Sequence, residues 1–150
     1  MNNKTESLKE KLKQALTSTA RAISDDLSIN IKPDKENKKN LDKFEFFESD
    51  NLNTKSDFLK ARAISDSNAL KKKFSNDLIF KKNLPSSSSC KSLYTIAEKI
   101  RYETLGSKML RGIEKNLKDN YYQANNLKRK DQIKSKEDVS VTEAFELYML

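Results

Sequence analysis

Leu93, Ile96, Ala97, Ile100, Leu105, Met109, Ile113, Leu117 and Tyr121 keep a helical spacing, which predicts a helix from about Cys90 to Gln123. A helix that long with one apolar stripe has to bury the stripe against other protein. This run constrains the fold more than any other feature, and its neighbors repeat the pattern. Leu8, Leu12, Ala15, Leu16, Ala20 and Ile23 predict an amphipathic helix over Thr5 to Ile23. Lys9, Lys11 and Lys13 lie off the center of its stripe, and the stripe lacks aromatics. It therefore reads as core-facing rather than as a helix lying on a membrane. A further helix is expected from about Ser56 to Lys82, with Phe58, Leu59, Ala63, Leu70, Phe74 and Leu78 near one face and Ser56 as N-cap. Leu84-Pro85 ends it, and Ser86 to Ser89 is a short linker that supplies the next cap.

The last helix opens on Ser140 and Glu143, a capping-box pair, and carries Ala144, Phe145, Leu147, Tyr148, Met149 and Leu150. The chain stops inside that apolar run, which implies a fragment of a longer protein or a helix that docks on something. Between the first two helices, Leu27, Ile29 and Ile31 alternate with Ser28 and Asn30, and Pro33 closes the run. Phe44, Phe46 and Phe47 mark a second strand, so a short antiparallel hairpin is expected. The fold expected is one mostly α domain over residues 1–150. It would hold about four helices and a β-hairpin between the first and second, with polar loops near 33–43, 49–55, 85–89 and 124–138.

Composition narrows the chemistry. The 150 residues include no histidine and one cysteine, Cys90. A zinc site, a Ser-His-Asp triad and an internal disulfide are therefore excluded within the chain. Gly106-Ser107-Lys108 lacks the upstream glycine and the residue order of a phosphate loop. Asp66-Ser67-Asn68-Ala69 lacks the serine spacing of a metal-ion-dependent adhesion site, and no oxygen-rich calcium loop follows Asp25-Asp26. Asp25-Asp26 reads instead as the end of the first helix. No apolar run reaches the ~18 residues of a membrane span. The N-terminus shows no apolar signal segment, so a cytoplasmic location is expected.

The net charge of +8 points to solvated surface lysines or to an acidic partner. Lys71, Lys72, Lys73, Lys81 and Lys82 against Asp77 make one basic cluster of +4. Lys128, Arg129, Lys130, Lys134 and Lys136 against Asp131 make another of +4. Such runs can contact phosphates, and a small basic nucleic-acid-binding protein is the alternative reading. Only Tyr121 and Tyr122 stand near as stacking residues, so nucleic acid is not the expected partner.

The segment AEKIRYETLGSKMLRG holds both glycines of the chain, Gly106 and Gly112. Glu98 and Arg101 are neighbors on a helix, whereas Glu103 points elsewhere. An exposed pair contributes about 0.3–0.5 kcal/mol, less than the ~1 kcal/mol cost of either glycine in a helix. Close packing of another element at both glycines is therefore expected, on two faces of one helix.

EKIRYETLGSKMLRGIEKNL resembles the most recognizable segment in the N-terminal region of the CobT subunit family of aerobic cobaltochelatase. The residues that carry the likeness are Glu98, Arg101, Glu103, Leu105, Gly106, Met109, Gly112, Asn116 and Leu117. ARAISDSNAL is similar to that family's Arg-Gly-x-x-Asp-x-x-Ala-Leu element at Arg62, Asp66, Ala69 and Leu70, with Ala63 in place of the glycine. Pro85, ARAISDDLSINI and VTEAFELYML fall in matching order. Ser75 and Phe80 stand where the family often has histidine.

The resemblance implies a subunit of the ATP-dependent enzyme that inserts cobalt(II) into hydrogenobyrinic acid a,c-diamide during cobalamin synthesis. The implied partners are an AAA+ ATPase subunit and a large corrin-binding subunit, with no membrane. ATP, magnesium and cobalt are implied for the complex, and none for this chain. The family's acidic linker and its von Willebrand A domain with an adhesion site would lie beyond Leu150. The chain is expected to be a non-catalytic assembly module. Arg62, Asp66, Glu98, Arg101 and Glu103 would form ion pairs, either at a subunit interface or inside the domain.

Overall fold

A computed structural model describes the backbone of residues 2–29, 54–132, 135 and 138–150, and side chains among these except 2–7 and 126–132. Six helices lie in the described residues: α1 (Asn2–Ser24), α2 (Lys55–Phe74), α3 (Asp77–Lys82), α4 (Ser88–Met109), α5 (Arg111–Gln132) and α6 (Val141–Met149). The chain divides into two compact units, residues 1–73 and 74–150.

In the first unit, α1 buries Leu16, Ala20 and Ile23, the C-terminal half of its predicted stripe, while Leu8 and Ala15 are exposed. Thr17, Ser18, Thr19 and Ser24 satisfy their hydroxyls on the carbonyl oxygens four residues earlier, so these poor helix formers are tolerated. The helix ends as the Asp25-Asp26 pair predicts. Asp25 takes φ 56°, a position where glycine is usual, and the Asp26 N–H donates to the Arg21 carbonyl at 3.3 Å. Asp26 Oδ1 then accepts from the Ser28 N–H and hydroxyl, a turn closed by its own side chain.

That turn is why the expected first strand fails at its start. Residues 27–28 form a turn, and Ile29 is buried with its carbonyl accepting from Arg21 Nε at 2.8 Å. No strand is present among the described residues. The remainder of the expected hairpin, 30–31 and 44–47, and the loops near 33–43 and 49–53 lie outside them.

α2 begins one residue before the expected cap. Thr54 and Asp57 form a reciprocal capping pair, in which Thr54 Oγ1 accepts from the Asp57 N–H and Asp57 Oδ2 accepts from the Thr54 N–H. α2 buries Ala61, Ala63, Ser65, Asp66, Ser67, Ala69 and Leu70, residues that run round the helix. Phe58, expected on the core face, is 45% exposed. The predicted helix over 56–82 is two helices, because the Asn76 side chain accepts from the Leu78 and Ile79 N–H groups and starts α3 afresh. Leu78 on α3 is 79% exposed rather than in the expected stripe.

In the second unit, α4 packs against α5 and α6. Ile100 and Tyr102 from α4 and Ile113 and Leu117 from α5 are buried. Phe80 of α3 stacks on Tyr94 of α4, with ring centroids 5.1 Å apart. The predicted helix over 90–123 is also two. Leu110 adopts an extended conformation (φ −134°, ψ 102°), donates to the Gly106 carbonyl, and offers its own carbonyl to Ile113 and Glu114 at the start of α5. α5 then runs to Gln132 through most of the loop expected over 124–138. That stretch is polar but rich in Lys, Arg and Gln, which favor helix without needing an apolar face. Ser140 Oγ caps α6 by accepting from the Glu143 N–H, as the sequence predicts.

Candidate functional site

Glu98 and Arg101 are three apart on α4, and the helix turns both toward residues 74–75. Arg101 Nε donates to Glu98 Oε2 at 2.7 Å and Arg101 Nη2 donates to Glu98 Oε1 at 2.7 Å. Arg101 Nη2 also donates to the Phe74 carbonyl at 2.7 Å, and the Ser75 hydroxyl donates to Glu98 Oε1 at 2.5 Å. The pair is thus forked and tied at both ends to residues 74–75. The Arg101 hydrogen bonds hold the Glu98 carboxyl below its ordinary value; burial opposes this and the Ser75 hydroxyl assists it. Glu98 in turn raises the Arg101 guanidinium above its ordinary value.

Glu103 points to another face, as its spacing requires. It is 4% exposed, and Oε2 accepts the Tyr121 hydroxyl of α5 at 2.7 Å. Burial, followed by the Glu103 charge, pushes the Tyr121 phenol far above its ordinary value. Over the Tyr121 ring sits the Lys99 ammonium, 5.0 Å from the centroid, which also pairs with Glu146 of α6 at 3.2 Å. The expected trio is therefore two systems. One clamps α4 to residues 74–75, and the other joins α4, α5 and α6. Both are internal to the second unit.

The glycines divide as well. Gly106 is buried on α4, where close packing is expected. At Gly112 an added Cβ would meet nothing within 4 Å among the described residues, so the close packing expected there is not found among them. The two glycines lie on separate helices, four residues before and two after the extended Leu110. Their weak helix propensity favors a corner there, a role that periodicity alone hides.

Arg62 is exposed and Asp66 is 1% exposed, both on α2 of the first unit. Asp66 engages its surroundings, and so does Asn116, half-buried on α5. Ser75, Lys99 and Tyr121 were not among the predicted site residues. Their partners are distant in sequence, and no spacing rule joins them. Ser75 donates to Glu98 and Phe80 stacks on Tyr94, so each carries a contact of its own.

The first basic cluster is partly neutralized within the first unit, where Lys72 pairs with Asp26 and Lys73 with Asp25. Asp26 is held far below the usual carboxylate range, first by Lys72 and then by Ser28. The side chains of the second cluster, Lys128 to Lys134 and Lys136, lie outside the described residues. Among the described residues no group of three Cys, Asp or Glu side chains could hold a metal, and no helix is long and apolar enough to cross a membrane.

What the described residues define is a helical protein organized by a forked ion pair and by a tyrosine hydrogen-bonded to a buried carboxylate. The chain belongs to the CobT family, the cobalamin biosynthesis proteins CobT, whose sequence profile matches residues 6–149. Comparison with curated proteins and with solved structures returned no match.

Proposed function

We propose that this chain is an assembly module of the ATP-dependent aerobic cobaltochelatase, the ligase that forms nitrogen–metal bonds to cobalt(II) in hydrogenobyrinic acid a,c-diamide. The observation that carries this reading is the family match across residues 6–149. The module is non-catalytic: it docks the AAA+ ATPase subunit and the large corrin-binding subunit in the cytoplasm, and cobalt is the substrate of the assembly. In this reading ATP, magnesium and cobalt belong to the assembly. No chemical step is assigned to this chain in that reading. Arg62 on α2 and Asn116 on α5 are candidate contacts to partners, and the Glu98–Arg101 clamp steadies α4 within the second unit.

Co-purification tests the reading. The chain is expected to retain the AAA+ subunit at moderate salt and to bind plain DNA weakly, with a shallow salt dependence. Steeply salt-dependent DNA retention with no recovery of the ATPase subunit would replace it with the nucleic-acid reading.

A further inference from the structure

Helix α6 is inside out. Val141, Ala144 and Tyr148 follow spacings of three and four and form one apolar stripe, yet Val141 is 75% and Tyr148 87% exposed. Glu143 and Glu146, its two charged residues, are half-buried, as are Phe145 and Leu147 at the margins of the stripe. None of its nine residues is fully buried. An amphipathic helix docked by burial would show the reverse arrangement.

An ion pair ties α6 to α4: Lys99 and Glu146, whose side chains are 38% and 32% exposed. Lys99 is itself positioned by the Tyr121 ring beneath it, and the Tyr121 hydroxyl by the buried Glu103 carboxylate. The charge that holds α6 is thus fixed by α4 and α5 whether or not α6 is in place. A pair this exposed is screened by salt.

We infer that α6 is an arm that undocks from α4 separately from the remainder of the second unit, and that the Lys99 ammonium is its latch. The inference is independent of the chelatase reading, because it concerns only contacts within the chain. Low ionic strength holds the arm down, and salt, or a competing anion at Lys99, loosens it.

Hydrogen exchange by mass spectrometry on the full chain tests this, reading the amides of Ala144 to Leu150 against those of Ile113 to Tyr121. In Lys99→Met, at low salt, the α6 amides are expected to exchange about two- to fivefold faster than in the wild type, the factor for losing an exposed pair. The α5 amides should be unchanged. Molar salt should bring wild-type α6 to the same rate and leave Lys99→Met unaffected. Glu146→Gln removes the latch from the other side without touching α4 or α5, and it should give the same acceleration. Unchanged α6 exchange in both variants at low salt would overturn the inference. So would α6 and α5 accelerating together in Glu146→Gln, which would make them one cooperative unit.

Discussion

Tyr121→Phe isolates a single hydrogen bond at the center of the second unit. The substitution keeps the ring, its packing and the Lys99 ammonium 5.0 Å above it, and removes only the hydroxyl that Glu103 accepts at 2.7 Å. Glu103 is 4% exposed, so water does not readily replace the lost donor. A hydrogen bond to a charged group contributes about 1.5–3 kcal/mol. Glu103 keeps other interactions, which places the loss near the lower end, ~1.5 kcal/mol. For a chain of this size that is a fall of about 3–6 °C in Tm.

Urea denaturation followed by circular dichroism at pH 7 measures it, with an unchanged dependence on urea as the sign of an intact fold. Tyr122→Phe, on a residue 72% exposed, is the control and should stay within about 0.5 kcal/mol. The alkaline limb gives a second readout. Because folding raises the Tyr121 pKa, its stabilization is present below the unfolded value near 10 and is lost as pH rises beyond it. Tyr121→Phe should lack that part of the decline. A Tyr121→Phe protein as stable as the Tyr122→Phe control, with the same alkaline decline as wild type, would refute the claim that this bond organizes α4 and α5.

Gly112→Ala should raise stability by up to about 1 kcal/mol, since the new Cβ meets nothing within 4 Å and helix propensity improves; a loss in the same urea assay would show an element packed there. Glu98→Gln bears on acid stability. Folding lowers the Glu98 pKa, so its contribution is present above the ordinary value of 4.5 and is lost as pH falls through the lower folded value. The variant should be less stable at pH 7 and show a shallower decline on acidification, and an acid limb identical to wild type would show that the clamp is not formed in solution.

Local chemistry was readable wherever a rule acts within one turn of chain. The Glu98–Arg101 neighbor pair, the divergence of Glu103, the Ser140 cap and the stop at Asp25-Asp26 all follow from spacing and from residue type. The Asn76 cap that splits 56–82 is equally local, but apolar periodicity running through it masked the signal. The polar stretch after Gln123 misled for the opposite reason: a helix of Lys, Arg and Gln has no stripe to detect.

By itself, then, the sequence determined a mostly helical chain with no histidine chemistry, and the order of motifs that places it in the CobT family. Tertiary structure alone decided that Ser75 donates to Glu98 and that Tyr121 reaches Glu103 beneath Lys99. It also decided that no described residue packs on Gly112 and that α6 half-buries its glutamates. Spacing fixes which side chains share a face of one helix. Which face meets which neighbor depends on contacts between residues far apart in the chain, and those exist only once the helices have packed.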